Sequence, residues 1–389
     1  MWYLFACPSD GFWERGTEQA LPTTGRHIAC RQRRAIRWHF SAGRRRDAAG
    51  SCHIHKGHVV ILTRPLGASQ ETAIVIQKNP FSPDARASRY DAEHARRLRA
   101  LAYRMLGSRA EAEDIVQDTW LRWIDVDEST IDNPGAYLSR LATNLCLDRL
   151  GSAAVRREQY VGTWLPEPLL EDDLLFGWAP SPERQAEFAQ DVSVAFMLAL
   201  ERLSPLERAA FLLHDVFDLE YEEIGRHLDR NPDTCRQLVS RARRHVKAGY
   251  ARCEVAEEER QRLAAAFAQA IRTQDVHALA QVLAKDAVLV ADGGGKVSAI
   301  TKPLRGNVGI AKALIGWARL EDNRGWRVVP TTVNGLPGCL ILDDRNHGAL
   351  VQTIALASAA DADSRIGAIY VQRNPDKLAG SMQKLAAKD

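Results

Sequence analysis

The stretch Tyr221–Val246, YEEIGRHLDRNPDTCRQLVSRARRHV, restricts what this chain can fold into more than any other. Tyr221–Leu228 reads as a short helix with Ile224 and Leu228 turned inward. Asp229–Asn231 make a turn, Asn231 is a good N-cap and Pro232 suits the first helical position. The next helix carries Leu238, Ala242 and Val246 on one side and Arg236, Gln237, Ser240, Arg241 and Arg244 on the other. Two short helices joined in this way form a helix-turn-helix, whose second helix puts its N-terminal residues into the DNA major groove. Arg236 and Gln237 then meet base edges, since Arg matches guanine and Gln matches adenine. Arg241, Arg243, Arg244 and Lys247 suit phosphates, which add affinity without sequence information. The plainer alternative is a basic, solvated helix, but the turn and its cap argue for DNA.

A second helical group lies upstream. Leu98, Leu101, Ala102 and Met105 follow the i, i+3, i+4, i+7 spacing of a helix that Gly107 ends. Ala112, Ile115, Val116, Trp120 and Trp123 form the stripe of the next, with Glu111, Asp114, Gln117 and Asp118 on its polar face. By itself that face reads as ordinary solvated surface. Asn133-Pro134 opens a third helix with Leu138, Leu141, Ala142 and Leu145 buried. The boundaries are 89–150 for this group, 151–190 for a linker and 191–250 for the group with the helix-turn-helix.

The linker holds WLPEPLLEDDLLFGWAPSPE, with proline, an acidic run and several large apolar groups. A solvated linker avoids such groups, so Trp164, Leu165, Leu169, Leu170, Leu174, Leu175, Phe176 and Trp178 need a partner. Residues 257–380 mix types. Leu263, Ala266, Phe267 and Ala270 mark a helix, Asp275 caps a short second one, and NVGIAKALIGWARL is a third. Strand-like runs occur at AVLVA, WRVVPTTV, CLILD, ALVQTIALA and RIGAIYV. This is an α+β pattern with a curved antiparallel sheet.

Inside it lies DGGGK, Asp292–Lys296. A phosphate loop needs glycines that lead into a helix and a Ser or Thr after the lysine. Here the glycines sit between two strand-like runs and Val297 follows the lysine, so the stretch reads as a glycine-rich hairpin loop.

Composition bounds the rest. With 389 residues and 46% hydrophobic content the chain supports two or three domains. No run of about 18 apolar residues occurs, and MWYLFAC is too short for a signal-peptide core. The expected location is the cytoplasm, without membrane contact. Seven cysteines are scattered with no CxxC pair, so no disulfide framework is expected. Residues 1–58 carry ten Lys/Arg against four acids and show no period. Their RQRR and GRRR suit nucleic acid, but the expectation for 1–88 is a disordered extension or upstream sequence read from a misassigned start codon. VVILT and TAIVIQ within 59–82 are compatible with a small hairpin. Cys52, His53, His55 and His58 fit no zinc spacing, and no metal or cofactor is evident.

EAEDIVQDTWLRW, NPGAYLSRLATNLCLDRL, LSPLERAAFLLHDVFDLEYEEIGRHL and CRQLVSRARRHV, in that order over roughly 90–249, resemble the two domains of extracytoplasmic-function (ECF) RNA polymerase sigma factors. WLPEP (164–168), DGGGK (292–296) and NPDKL (374–378) resemble three signature motifs of the subgroup with a fused SnoaL-like domain, the SigJ-like proteins. The resemblance implies two all-α sigma domains, regions 2 and 4, followed by an α+β NTF2-like cone. It implies core RNA polymerase and promoter DNA as partners. By position, Asp114, Gln117 and Asp118 would face polymerase. Asn144, Asp148, Arg149, Arg156 and Arg157 would lie near the −10 strand, and Arg236, Gln237, Ser240, Arg241 and Arg244 at −35.

In that subgroup the fused domain is thought to stand in for a separate anti-sigma factor. Trp164, Leu165, Pro166, Glu167 and Pro168 would be held by Asp292, Gly293, Gly294, Gly295 and Lys296 together with Asn374, Pro375, Asp376, Lys377 and Leu378. A pairing of Lys296 with Glu167 or with the Glu171–Asp173 run is expected. The cone fold also admits an unidentified small molecule as a ligand. Two other classes stay open: a ligand-sensing helix-turn-helix regulator, and an NTF2-like enzyme with a DNA-binding leader, with Asp286, Asp292 and His347 as acid/base candidates. No His–carboxylate spacing favours the enzyme, and the 111–149 match argues against both.

Overall fold

The computed structural model describes strand backbones within residues 3–77 and then residues 83–158, 160–170, 191–249, 256–322, 325–359 and 365–386. The chain divides into two units, Met1–Ser82 and Pro83–Asp389. In the first, β1 (Tyr3–Ala6) pairs with β2 (Trp13–Gly16) and β3 (Arg26–Ala29) with β4 (Ala35–Trp38). β6 (Val60–Leu66) lies between β5 (Ser51–Cys52) and β7 (Glu71–Gln77). All these pairs are antiparallel, and β6–β7 is a hairpin over the VVILT and TAIVIQ runs. Cys52 ends β5, while His53, His55 and His58 lie outside the described residues.

The second unit opens with α1 (Pro83–Arg89), which passes through a π-helical turn at Tyr90–Ala95 into α2 (Arg96–Leu106). Gly107 closes α2 in the left-handed region at φ 71°. Ser108 caps α3 (Arg109–Ile124) by accepting from the Glu111 amide. Asn133 Oδ1 accepts from the Ala136 amide at 3.0 Å and starts α4 (Pro134–Glu158), which runs on past residue 150 into the stretch read as linker. After the linker come α5 (Val194–Leu200), α6 (Pro205–Phe211, with a π turn at Leu212–Val216), α7 (Tyr221–Leu228) and α8 (Pro232–Gly249).

One hydrophobic core joins the two helical groups. Leu98, Met105, Ile115 and Leu138 of the first share it with Leu200, Phe211, Ile224 and Leu238 of the second. Arginines cross the seam as well. Arg208 donates to the Met105 carbonyl at 2.7 Å, and the fully buried Arg104 lies 5.9 Å from the Phe217 ring centroid. Burial pushes the Arg104 guanidinium down to about 10.

The C-terminal domain begins with α9 (Glu257–Arg272) and α10 (Val276–Val282), the latter capped by Asp275 as expected. Its strands are β8 (Leu283–Asp292), β9 (Leu304–Arg305), β10 (Trp326–Val333), β11 (Leu336–Asp343), β12 (Ala349–Ser358) and β13 (Ile366–Gln372). They form one sheet in the order β10-β11-β12-β13-β8-β9, antiparallel except where β13 meets β8. α11 (Asn307–Asp322) follows β9, and α12 (Pro375–Ala386) follows β13. α12 went unforeseen, although Asn374-Pro375-Asp376 is a helix-start signal.

The two faces of this sheet are covered differently. Leu263, Phe267, Leu279, Ile310 and Leu314 from α9, α10 and α11 pack on one. The other packs Leu340, Leu342, Leu350 and Tyr370 against Leu165 and Leu170 of the linker, Val194 of α5 and Leu378 of α12. Burying each such leucine contributes about 1.5–3 kcal/mol, which accounts for the apolar residues in this part of the linker. Glu171–Asp173, Leu174, Leu175, Phe176 and Trp178 lie outside the described residues.

Candidate nucleic-acid interface and linker cradle

The helix-turn-helix is built as its residues dictate. Asp229 ends α7 at φ 52°, and Asn231 Oδ1 accepts from the Thr234 amide at 2.7 Å. Gly225 is required here, since a Cβ would stand 2.6 Å from the Arg230 carbonyl oxygen. Arg236, Gln237, Ser240, Arg241 and Arg244 are all exposed on α8. Arg236 pairs with Asp233 at 2.6 Å and lies 4.9 Å from the Tyr221 ring centroid, and Arg241 reaches Glu207 at 3.1 Å. Arg243, read from the sequence as a phosphate contact, makes a two-pronged pair with Asp215 at 2.8 Å for each prong. The Asp215 hydrogen bond raises its pKa.

On α3, Asp114 and Gln117 are exposed and Asp118 is half-buried. Asp114 lies 3.6 Å from Arg149, so α3 and α4 bring together one residue from each expected contact set. Asn144 and Asp148 are exposed on α4. Arg156 and Arg157 belong to the same helix, with their side chains outside the description. Leu121 is 61% exposed one turn beyond Gln117, an apolar addition to this face that sequence reading passed over.

The linker motif sits in a cradle centred on Asp292, which is fully buried. Its Oδ1 accepts from Tyr160 Oη at 2.6 Å and the Gly294 amide at 2.9 Å. Its Oδ2 accepts from the Leu165 amide at 2.9 Å, Lys377 Nζ at 2.7 Å and Gln372 Nε2 at 3.3 Å. Lys377 also donates to the Leu165 carbonyl at 2.6 Å and lies 4.5 Å from the Trp164 ring centroid and 4.8 Å from that of Tyr160. Burial first, and then the hydrogen bond to Asp292, raise the Tyr160 pKa well above that of an ordinary phenol. Leu165 is 2% exposed, and Pro166 and Pro168 are buried. Gln372 Nε2 approaches the Pro166 carbonyl at 3.3 Å.

The glycines do what glycines allow. Gly294 and Gly295, at φ 62° and 69°, form a tight turn closed by the Lys296 amide on the Gly293 carbonyl at 3.0 Å. A Cβ on Gly294 would come within 2.3 Å of Asn374, and one on Gly295 within 3.0 Å of Val161. The turn follows β8, and the chain returns to the sheet only at β9, so the strand-like run after Lys296 is irregular. In NPDKL, Asn374 Oδ1 accepts from the Asp376 amide at 3.1 Å, Pro375 takes the first position of α12 and Leu378 is buried.

One expected pairing is corrected. Lys296 pairs with Asp376 at 2.5 Å. Glu167 faces the other way, onto region 108–110, accepting from Ser108 Oγ and the Arg109 amide at 2.7 Å each. A carboxylate there satisfies the free amides at the start of α3 and complements the helix dipole. The Glu167 amide donates to the Gly107 carbonyl at 2.9 Å, and Trp164 packs so closely that a Cβ on Gly107 would meet its ring at 2.4 Å. The motif is therefore gripped from both sides. Of the acid/base candidates, Asp286 and His347 are exposed, and both Asp292 oxygens are occupied by donors.

Residues 92–156 match the family model of Sigma-70 region 2, and residues 193–246 that of Sigma-70, region 4. The chain is 33% identical over 302 residues to the ECF RNA polymerase sigma factor SigJ of Mycobacterium tuberculosis, a match that covers 74% of this chain and 91% of that relative. The chain belongs to the ECF sigma factors. It is also 32% identical over 209 residues to the probable ECF RNA polymerase sigma factor SigI of the same species, over 53% of this chain and 68% of that one. The crystal structure of M. tuberculosis SigJ superposes with a TM-score of 0.58 at 30% identity, covering 76% of this chain and 98% of that one.

This sigma factor directs RNA polymerase to promoters for transcription initiation, and binds core polymerase and promoter DNA as sigma factors do. The helix-turn-helix falls within region 4, and α3 and most of α4 within region 2. The domain behind them has the NTF2-like, SnoaL-like fold, with α9, α10 and α11 on one face of a mixed six-stranded sheet. Its relatives are initiation factors rather than enzymes. Among the described residues no helix is long and apolar enough to cross a membrane.

Proposed function

We propose that this sigma factor is regulated in cis, its C-terminal domain holding the linker and thereby biasing the molecule between a closed form and a polymerase-competent form. The observation that carries this reading is the buried Asp292–Lys377 pair, whose two members both bond to Leu165 of the linker. A domain that merely trailed behind the helical regions would have no need to spend a buried ion pair on the linker backbone. The cradle takes over the task of a separate anti-sigma factor and works in the cytoplasm, where polymerase is. A small molecule that competed with Leu165 and Leu170 for the sheet face would act as an inducer.

In this reading Asp114, Gln117 and Asp118, with Leu121 beside them, meet polymerase. Asn144, Asp148, Arg149, Arg156 and Arg157 meet the −10 strand, and Arg236, Gln237, Ser240, Arg241 and Arg244 the −35 duplex. The shared core of α2, α4, α6 and α7 supports a closed form that has to separate before both promoter elements are engaged. The test is transcription in vitro with core polymerase on the protein's own candidate promoter. Residues 83–389 are compared with a version ending before Asn374 and one ending near Gly249. A rise in yield on removing residues 374–389 identifies that end as a brake, and a loss on removing the whole domain shows that the remainder is needed for activity. Yields equal in all three overturn regulation in cis.

A further inference from the structure

The cradle around Asp292 touches the linker at Tyr160, Leu165 and Pro166, and among the described residues none of its hydrogen-bond partners belongs to region 4. The C-terminal domain meets region 4 elsewhere: Val194 packs on the sheet face, and Val192 at the entry to α5 is bonded by the tip of the β10–β11 hairpin. There Asn334 and Gly335, at φ 51° and 69°, make a two-residue turn, and Asn334 is only 1% exposed. A hairpin tip normally points into water.

The backbone N–H and both polar side-chain atoms of Asn334 have distant partners. Its amide N–H donates to the Leu169 carbonyl at 2.7 Å, and its Oδ1 accepts from the Leu169 amide at 3.2 Å. Its Nδ2 donates to Tyr103 Oη at 2.9 Å and to the Val192 carbonyl at 3.0 Å. Tyr103 Oη in turn donates a hydrogen bond to the Glu167 carbonyl at 2.8 Å. One side-chain amide thus bonds α2, the linker and the entry to α5. These partners also settle its orientation, since a flipped amide would set N–H against N–H.

We propose that Asn334 is the positioning residue that seats region 4 on the C-terminal domain, a second latch that opens independently of the Asp292–Lys377 pair. This rests on regulation in cis for its purpose but not for its geometry. Asn334→Gly keeps the left-handed turn and deletes only the side chain. Asn334→Asp keeps the acceptor for the Leu169 amide and sets a carboxylate against the Val192 carbonyl.

The experiment is hydrogen–deuterium exchange on the full chain, wild type against Asn334→Gly, Asn334→Asp and Asp292→Asn. Loss of buried hydrogen bonds predicts exchange about tenfold faster at residues 192–200 in Asn334→Gly. Strand β12 should stay as protected as before. Asn334→Asp should act in the same direction at 192–200, with residue 169 affected less. Asp292→Asn should loosen 160–167 and leave 192–200 unchanged. The proposal is overturned if Asn334→Gly leaves 192–200 protected, if β12 loosens equally, or if Asp292→Asn loosens the same residues. Transcription by these variants then judges the regulatory reading separately: unchanged yields with the expected exchange pattern sink regulation in cis and leave the positioning role standing.

Discussion

On α8 the arginines are exposed, and Arg236 pairs with a likewise exposed Asp233. In the cradle Asp292 is fully buried, with both oxygens taken by the linker, Lys377 and their neighbours. An exposed pair contributes about 0–1 kcal/mol, so an arginine there exchanges a carboxylate for a phosphate at little cost. A buried pair responds differently, because removing one partner strands the other charge away from water. The first arrangement suits a surface that binds and releases DNA. The second suits a contact that is either wholly made or wholly broken.

The largest effect should come from Asp292→Asn, which leaves Lys377 without its counter-ion. The expected loss is about 3–5 kcal/mol in the cradle's hold on the linker, read by thermal unfolding and by protease cleavage within 160–167. Cleavage no faster than in the wild type would show that the cradle does not hold the linker. Leu165→Ala should follow at about 2–5 kcal/mol, since it opens a cavity between linker and sheet. Glu167→Ala removes acceptors from the start of α3 and should cost about 0.5–2 kcal/mol in urea unfolding.

Arg244→Ala sharpens the contrast from the other side. It should leave stability within about 0.5 kcal/mol. The salt dependence of promoter binding should lose about one unit of slope, measured as affinity against ionic strength. The smallest effect concerns pH. Burial lowers the His227 pKa below its ordinary 6.5, so folding disfavours protonation of the ring. As pH falls through that value the unfolded chain takes up a proton that the folded chain refuses, and stability declines. Urea midpoints between pH 7.5 and 5.5 should fall less steeply in His227→Gln.

Local patterns were legible where one stretch supplied both the signal and its partner. The Asn231 cap, the Gly107 stop, the Asp275 cap and the turn of DGGGK all close within a few residues. The linker's apolar excess announced that something covers it, without saying what. Two features had readable signals that went unused: Asn374-Pro375-Asp376 starts α12, and Asn334-Gly335 is a strong hairpin signal between two strands. What no local pattern carried was the further use of that asparagine, whose partners lie at Tyr103, Leu169 and Val192.

The sequence by itself determined the kind of protein this is: two helical promoter-recognition regions, a helix-turn-helix with an exposed basic face, and an α+β domain behind them. Periodicity, caps and turn residues act over a few positions, so a one-dimensional reading reaches them. Only the tertiary structure decided which charges met. Lys296 took Asp376, Lys377 took Asp292, and Glu167 turned to the start of α3. All three choices depend on where β8, β13 and the linker come together, since a charge pairs with what folding brings within reach and desolvates beside it.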